Sequence, residues 1–475
     1  MSTALVWFRR DLRLADNPAL AAARDAHEQV IPIYVHAPDE EAPWQPGAAS
    51  RWWLHHSLVA LHADLRRRGS GLHIAKGPSL QALREILEAT RASAIYWNRL
   101  YEPAITARDR TIKQALLDDG VDARSFKATV LFEPWEVQTG QDQPYRVFTP
   151  FWRKARADLQ VRPPLPVPDS VPTVALDGSL AVDDLDLLPR LDWDAGFYEA
   201  WVPGESGALD AFDRFLESAV TDYAKERDRP DRESTSRLSP HLHFGEISPM
   251  QIAWELDERA RPEGQAARST GAEKFLSEIG WREFSVHLLF HFPDMPEKNL
   301  NARFDEFRWG EDDPEAILRW KQGRTGIPMI DAGMRELWAT GIMHNRVRML
   351  VASFLTKNLR QHWRHGAAWF WDTLVDADLA NNSQGWQWTA GCGVDAAPYF
   401  RIFNPVTQGE KFDPDGVYVR RWVPELADLP ASLIHHPWTE PDCLEATGYP
   451  PPMVDLAESR QGALAAYQDL PKAGD

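Results

Sequence analysis

ALVWFRRDLRLADNPAL, Ala4–Leu20, holds the first turn of the fold. Ala4–Phe8 is a short, uninterrupted apolar run of the kind found in buried strands. A polar segment follows. Then comes Asn17-Pro18, a helix N-cap followed by the residue best suited to a first helical position. ALAAARDAHE continues as a helix. The alternation repeats: VIPIYVH (Val30–His36), LHIAKG (Leu72–Gly77) and SAIYWN (Ser93–Asn98) read as strands. SRWWLHHSLVALHADLRRRG, SLQALREILEAT and TARDRTIKQALLDDG read as helices, with Gly69 and Gly120 as C-terminal stops. Strand–helix alternation predicts a Rossmann-like α/β domain, a parallel sheet covered on both faces. The first βα turn lacks G-x-G-x-x-G, so the usual dinucleotide fingerprint is absent.

Further along, the pattern changes. From about Phe132 to Trp201 it breaks up, and VRPPLPVPDSVPTV (Val161–Val174) reads as an extended, proline-rich connector. Helical periodicity then dominates, most clearly in AEKFLSEIGWREFSVHLLFHF, PEAILRWKQG and HNRVRMLVASFLTKNLRQHW. The expected organisation is an α/β domain over 1–131, a connector over 132–200 and an all-α domain over 201–475. After about Ala427 the chain is Pro-rich and acidic.

Bulk composition narrows the function. A chain of 475 residues with 44% hydrophobic and 26% charged residues is globular, and 21 tryptophans point to a helical core, stacking surfaces or both. The net charge of −18 argues against a nucleic-acid partner unless a local basic patch survives inside it. Two cysteines, Cys392 and Cys443, exclude a disulfide framework and fit a reducing, cytoplasmic setting. The N-terminus does not read as a secretory signal, and no apolar run is long enough to span a bilayer.

Four constellations bear chemistry-capable residues. In YAKERDRPDRESTSRLSPHLHFGEISP (Tyr223–Pro249), Thr235, Ser236 and Ser239 surround Arg237 and Leu238; this is either a phosphate cradle or a loop capping a helix. In FLSEIGWREF, Glu278, Trp281 and Arg282 share one helix face, as a site or as a Glu–Arg surface pair beside a partly buried ring. In HNRVRM, Asn345, Arg348 and Met349 share a face with Arg346 on its flank, which suits a base or flavin edge and equally a solvated face. In FWDTLVDADLANNSQGWQW, Asp376 and Asp378 precede Asn382, Trp386 and Trp388; no His/Cys ligand pattern accompanies them, and an aspartate here could pair with Arg348. The Trp386–Trp388 stretch itself is flanked by turn-forming residues.

TSRLS, EIGWREF, MHNRVRM, DADLANN, GWQW and DAAPYFRIFNP, following VWFRRDLRLADNPAL, together resemble the photolyase/cryptochrome family over nearly the whole chain. The resemblance implies FAD held by the helical domain. Tyr223 and Thr235–Ser239 would bind its phosphates and ribitol. Phe275, Arg282, Asp376 and Asp378 would surround it, with Arg348 paired to Asp376. Asn382 would face flavin N5. Trp386, Trp363 and Trp309 would be the inner, middle and outer members of an electron-transfer chain. Trp388 and Trp281 would wall a cavity for a flipped-out cyclobutane pyrimidine dimer of UV-damaged DNA. Glu278, Asn345 and Met349 would contact the dimer, while Arg227, Arg346 and Gln408 hold the DNA and Arg401 contributes to a basic rim. Asn345 and Met349 stand where (6-4) photolyases place histidines, so cyclobutane-dimer repair is expected ahead of (6-4) repair or of a cryptochrome light sensor. His344 is expected to be structural. Several motifs resemble bacterial photolyases related to plant cryptochromes. Ile342 departs from the family's bulky Trp. An antenna chromophore is implied, a reduced folate such as methenyltetrahydrofolate ahead of a deazaflavin, with Glu102, Glu41, Trp52 and Trp53 as candidate contacts. No protein partner is implied, and a monomer is expected.

Overall fold

β1 (Thr3–Phe8) is buried along its whole length in the computed structural model, which describes residues 2–174, 176–259, 269–395 and 400–471. It pairs in parallel with β2 (Gln29–His36) on one side and β4 (Ala94–Asn98) on the other. β3 (His73–Lys76) extends the β2 side and β5 (Asp122–Phe126) the β4 side, giving the order β3-β2-β1-β4-β5. The chain builds outward from β1 in one direction and then returns to its other flank. A crevice therefore opens beyond the C-terminal ends of β1 and β4, where α/β sheets place ligands. Asn17 caps the first helix, Pro18–Ala26, by accepting the Leu20 N–H at 3.1 Å. The helices Ala48–Arg67, Ser79–Thr90 and Pro103–Asp118 follow where the sequence predicts them.

β5 is the strand that sequence reading misses. DARSF buries only Ala123, so no apolar run or alternation marks it, and its backbone is recruited by the edge of β4. The opposite edge is covered by residues that follow the proline-rich stretch: Leu180 N–H donates to Ile74 O at 3.0 Å and Ile74 N–H to Ser179 Oγ at 3.0 Å. That satisfies the backbone an edge strand would leave exposed.

The described residues group into two compact units. One comprises Met1–Asp194, Tyr198–Thr221 and Ser236–Pro293; the other comprises Ala195–Phe197, Asp222–Thr235 and Asp294–Asp475. This division cuts across the expected boundaries at 131/132 and 200/201. A helix at Phe148–Asp158, inside the expected connector, packs on the long helix Thr270–His291, which therefore groups with the sheet.

The second unit is helical around one core, which includes Trp320, Leu350, Trp363, Phe370 and Trp386. HNRVRMLVASFLTKNLRQHW, expected as a continuous helix, is instead the helix Asn345–Ser353, a π-helical turn over Phe354–Asn358, and a break at the left-handed Arg360 before the helix Trp363–Thr373. The wider turn carries two polar groups that need inward partners: Lys357 Nζ donates to Ala390 O at 2.6 Å, and Asn358 Nδ2 to Ser459 Oγ at 2.8 Å. The turn-forming residues around Trp386 and Trp388 are also helical, over Leu379–Ala390. Asp378 caps one end, accepting the Asn381 N–H at 2.8 Å, and Gly391, with φ +91°, closes the other. The acidic C-terminal segment contributes two more helices, Pro441–Thr447 and Leu456–Gln468.

Candidate functional site

In the Thr235–Ser239 loop, Arg237 adopts a left-handed φ of +55° and Leu238 a right-handed conformation. Paired turns of opposite hand aim successive N–H groups into a concave nest for an anion. Ser236 Oγ accepts the Leu238 N–H at 3.3 Å. The Arg237 guanidinium turns back over the Trp201 ring, 4.2 Å from its centroid, and reaches Ala200 O, so this residue shapes the loop through its backbone. Behind Ser239, the buried Glu246 carboxylate accepts hydrogen bonds from Trp53 Nε1 (3.0 Å) and Gly204 N–H (2.7 Å) and pairs with His241 Nδ1 at 2.5 Å. Strain at Arg237, of order 1 kcal/mol or more for a non-glycine, is thus held by a rigid support. Tyr223 is buried on the single-turn helix Tyr223–Glu226, with Arg227 over its ring at 5.7 Å.

On the helix Thr270–His291, Phe275 is buried against Phe215 at 4.5 Å. Glu278 pairs with Lys274 at 3.0 Å, one turn back, rather than with Arg282. Arg282 donates instead to Thr129 O (2.7 Å) and Leu242 O (3.4 Å). Trp281 is stacked on Phe148, centroids 3.7 Å apart and planes 11° from parallel. Sequence reading missed Phe148 because it lies in the supposed connector; the one visible signal was a Phe148/Trp152 pair at helical spacing.

In the second unit, His344 caps the helix Asn345–Ser353, its Nδ1 accepting the Arg346 N–H at 3.2 Å. Burial pushes its imidazole down to about 4, so it stays neutral and able to cap. Nε2 is buried without a hydrogen-bond partner among the described residues, so the histidine is structural but not fully satisfied. Asn345 is exposed in the first turn and Met349 half-buried one turn on. Arg346 pairs with Asp228 at 2.7 Å, and Asp228 lies 4.0 Å from Arg227. The expected basic rim therefore has a carboxylate at its centre. Arg348 donates through Nη2 to both oxygens of Asp376, at 3.0 and 2.9 Å, and through Nε to Met343 O at 2.7 Å. The arginine–aspartate pairing anticipated from sequence is present.

Asn382 donates Nδ2 to Ala367 O at 2.9 Å, which fixes the amide and leaves its oxygen as the group for a ligand. Trp386 is buried against Phe370 (5.0 Å) and Trp320 (6.2 Å) and lies directly over Gly366. Trp363 is fully buried, donating to Asn299 Oδ1 at 2.9 Å. Its ring lies 5.6 Å from His362, which lies 4.9 Å from Trp309. Trp388 is half-buried and donates to Asp395 O at 3.0 Å. Between the two tryptophans, buried Gln387 holds the 295–300 segment: Nε2 donates to Met295 O and Lys298 O, and Oε1 accepts the Leu300 N–H. Gln408 is half-buried on the helix Pro405–Phe412, and Arg401 is exposed over Phe403. Part of DAAPYFRIFNP, residues 396–399, lies outside the described residues.

At the mouth of the sheet's crevice, Glu102 pairs with Arg10 at 2.5 Å. Burial raises the nearby Glu41 carboxyl above its ordinary range despite the opposing pull of Arg10. Trp52 and Trp53 are fully buried, and Trp53 is committed to Glu246. Among the described residues no helix is long and apolar enough to cross a membrane, and no His/Cys/Asp/Glu cluster could hold a metal ion.

Comparison with known proteins gives a consistent result. Residues 4–169 match the family model described as DNA photolyase, and residues 275–469 that described as FAD binding domain of DNA photolyase. The chain is 47% identical to the deoxyribodipyrimidine photo-lyase of Agrobacterium fabrum, covering 98% of each chain. It is 41% identical to Cryptochrome-1 of Arabidopsis thaliana, covering 96% of this chain and 69% of that protein. Among solved structures, a bacterial class III photolyase from Agrobacterium tumefaciens superposes with a TM-score of 0.93 at 46% identity, covering 98% of this chain and 97% of the other. An archaeal photolyase from Sulfolobus tokodaii, described with two FAD molecules, superposes with a TM-score of 0.84 at 32% identity, covering 98% and 100%. This chain belongs to the DNA photolyase/cryptochrome family.

Proposed function

We propose that this protein is a deoxyribodipyrimidine photolyase that uses light to reverse cyclobutane pyrimidine dimers in DNA. The observation that carries the reading is end-to-end likeness, at 47% identity, to a protein named for that activity. FAD, when bound, supplies the light-driven one-electron transfer that opens the cyclobutane ring and recovers the electron.

The residues present suit that cofactor. The Arg237–Leu238 nest fits phosphate oxygens. With Nδ2 committed to Ala367 O, Asn382 presents Oδ1 as an acceptor for the ring N–H of a reduced flavin. The Arg348–Asp376 pair places fixed, mutually compensated charge beside the ring. Tyr223, Thr235, Ser239, Phe275, Arg282 and Asp378 complete the proposed cofactor contacts. Trp386, Trp363 and Trp309 conduct electrons inward from the surface, with His362 between the outer two rings.

The rest of the chemistry is positioning. A dimer stacks poorly in duplex DNA, so extruding it costs less than for a normal base pair, on the order of a few kcal/mol. Trp281 and Trp388 each offer an indole to the extruded rings, and stacking returns about 1–3 kcal/mol per base. Glu278 and the exposed amide of Asn345 hydrogen-bond the pyrimidine edges, and Met349 packs against them. Arg227, Arg346, Arg401 and Gln408 hold the flanking backbone. The partner is UV-damaged DNA, and the enzyme acts as a cytoplasmic monomer.

For the antenna we propose a reduced folate, such as methenyltetrahydrofolate, at Glu41 and Glu102. A carboxyl held by burial beside Arg10 suits the N–H-rich edge of a pterin. The second FAD of the Sulfolobus tokodaii relative supports a flavin as the competing occupant. Likeness to Cryptochrome-1 keeps a light-sensing role as the second reading.

The test is repair of a thymine-dimer oligonucleotide by reduced protein in blue light against a dark control. Light-dependent loss of the dimer, abolished in Glu278→Ala/Trp388→Ala, is the expected result. Photoreducible flavin without dimer splitting would move the sensor reading first.

A further inference from the structure

Trp281 does not stand alone. Phe148 covers one of its faces, with centroids 3.7 Å apart and planes within 11°. The Trp152 ring lies nearly parallel to that of Phe148, with centroids 6.4 Å apart and planes at 8°. Free aromatic pairs prefer an offset or edge-to-face arrangement at about 4.5–7 Å, because eclipsed quadrupoles repel. The near-eclipsed pair is therefore imposed by the packing of two helices, Phe148–Asp158 on Thr270–His291.

Gly280 makes that packing possible. A Cβ at Gly280 would meet Trp152 ring atoms at 2.5–2.8 Å, so the missing side chain lets the Trp152 indole lie against the helix. Phe148, one turn earlier on its own helix, is thereby brought flat onto the adjacent residue, Trp281. Phe284 meets Trp281 edge-on at 6.0 Å and closes one side. Among the described residues no ring covers the opposite face of Trp281, and the residue is half-buried.

We propose that Phe148 is a positioning residue for lesion recognition: it clamps one face of Trp281, fixing the tilt of the indole so that its single open face is pre-set to stack on an extruded pyrimidine pair. Gly280 and Trp152 hold the clamp in register. This rests on the reading of Trp281 as a wall of the lesion pocket. A loose indole would have to be ordered when the lesion binds; a clamped one has lost that freedom already, so the stacking energy goes into lesion affinity. Intact DNA, which presents no extruded base, does not sample this face.

The experiment is equilibrium binding, in the dark, of FAD-loaded protein to a fluorescent duplex carrying one thymine dimer and to the same duplex undamaged. FAD content and thermal midpoint are recorded for each variant. Phe148→Leu is expected to weaken dimer binding about tenfold, the scale of one well-formed aromatic contact, with undamaged binding unchanged. Phe148→Tyr, which keeps the flat ring, restores dimer binding. In a Trp281→Ala background, Phe148→Leu adds no further loss. Equal losses on both duplexes, additive losses in the double variant, or wild-type dimer binding by Phe148→Leu would each overturn the proposal. If Trp281→Ala alone binds the dimer like wild type, the wall reading falls and the clamp falls with it. Weak binding by Trp281→Ala beside normal binding by Phe148→Leu removes the clamp only. Phe148→Met fills the same space without a ring and repeats the test should the leucine variant not accumulate.

Discussion

Replacing Gly366 by alanine tests the proposed electron path where Trp386 is most tightly packed. A Cβ there would lie 1.9 Å from Trp386 Cη2, 2.4 Å from Cζ3 and 2.5 Å from Cζ2. An ordinary carbon–carbon contact is about 3.5 Å, so the ring must retreat by about 1.6 Å. It has little room, because Phe370 and fully buried Trp320 pack against it. Overpacking of this kind costs up to about 3 kcal/mol. Alanine returns about 1 kcal/mol of helix propensity at an interior position. The net expectation is a loss of about 2 kcal/mol, with Trp386 displaced from its place as the inner member of the proposed relay. The assay is photoreduction of bound, oxidised FAD under blue light with an external reductant, beside a thermal melt. Photoreduction should slow severalfold and the melting midpoint should fall, while repair by chemically pre-reduced enzyme stays close to wild type. A Gly366→Ala protein that melts higher, as propensity alone predicts, and photoreduces normally would refute the reasoning.

Burial raises the Glu283 carboxyl from its ordinary 4.5 to about 7, against the pull of Arg282 and of the Leu131 and Phe132 N–H groups. A raised folded value means the native state holds the proton more tightly. The resulting stabilisation is complete below pH 4.5 and is lost as pH rises through about 7, about 3 kcal/mol in all, so thermal midpoints scanned upward in pH should fall less in Glu283→Gln than in wild type. Asp228→Asn frees Arg346 and Arg227 from their shared carboxylate. Affinity for damaged and undamaged duplexes should rise together, with the log–log salt slope steeper by about one, measured by salt titration of binding. Asp376→Asn removes a charge-assisted pair of hydrogen bonds to Arg348 and should cost about 2 kcal/mol, read in urea unfolding as earlier release of FAD.

The sheet was legible because its strands are apolar runs and its first helix carries a recognisable cap. β5 was hidden by polarity: DARSF has one buried residue, and only its neighbour makes it a strand. The helix carrying Trp386 and Trp388 was hidden by composition. Gly385, Ser383 and two asparagines argue for turns, yet end caps and the buried Gln387 ties make it helical, packing prevailing over propensity. Arg348–Asp376 could be anticipated because the family motifs name both residues. Arg346–Asp228 and Phe148–Trp281 could not, because spacing on one segment says nothing of what another brings to it.

Trp386 and Trp388, near the C-terminal end of the helix Leu379–Ala390, are separated by one residue, and at about 100° per residue their side chains leave the axis about 200° apart. Gln387, between them, takes part in neither proposed task and pins the backbone. Inheritance can therefore act on the faces separately. Substitutions on the Trp388 side can accumulate without disturbing the aromatic shell around Trp386, and the reverse. A lineage that stops mending DNA can rewrite one face and keep the other, so light-driven redox chemistry can outlive the activity it once served.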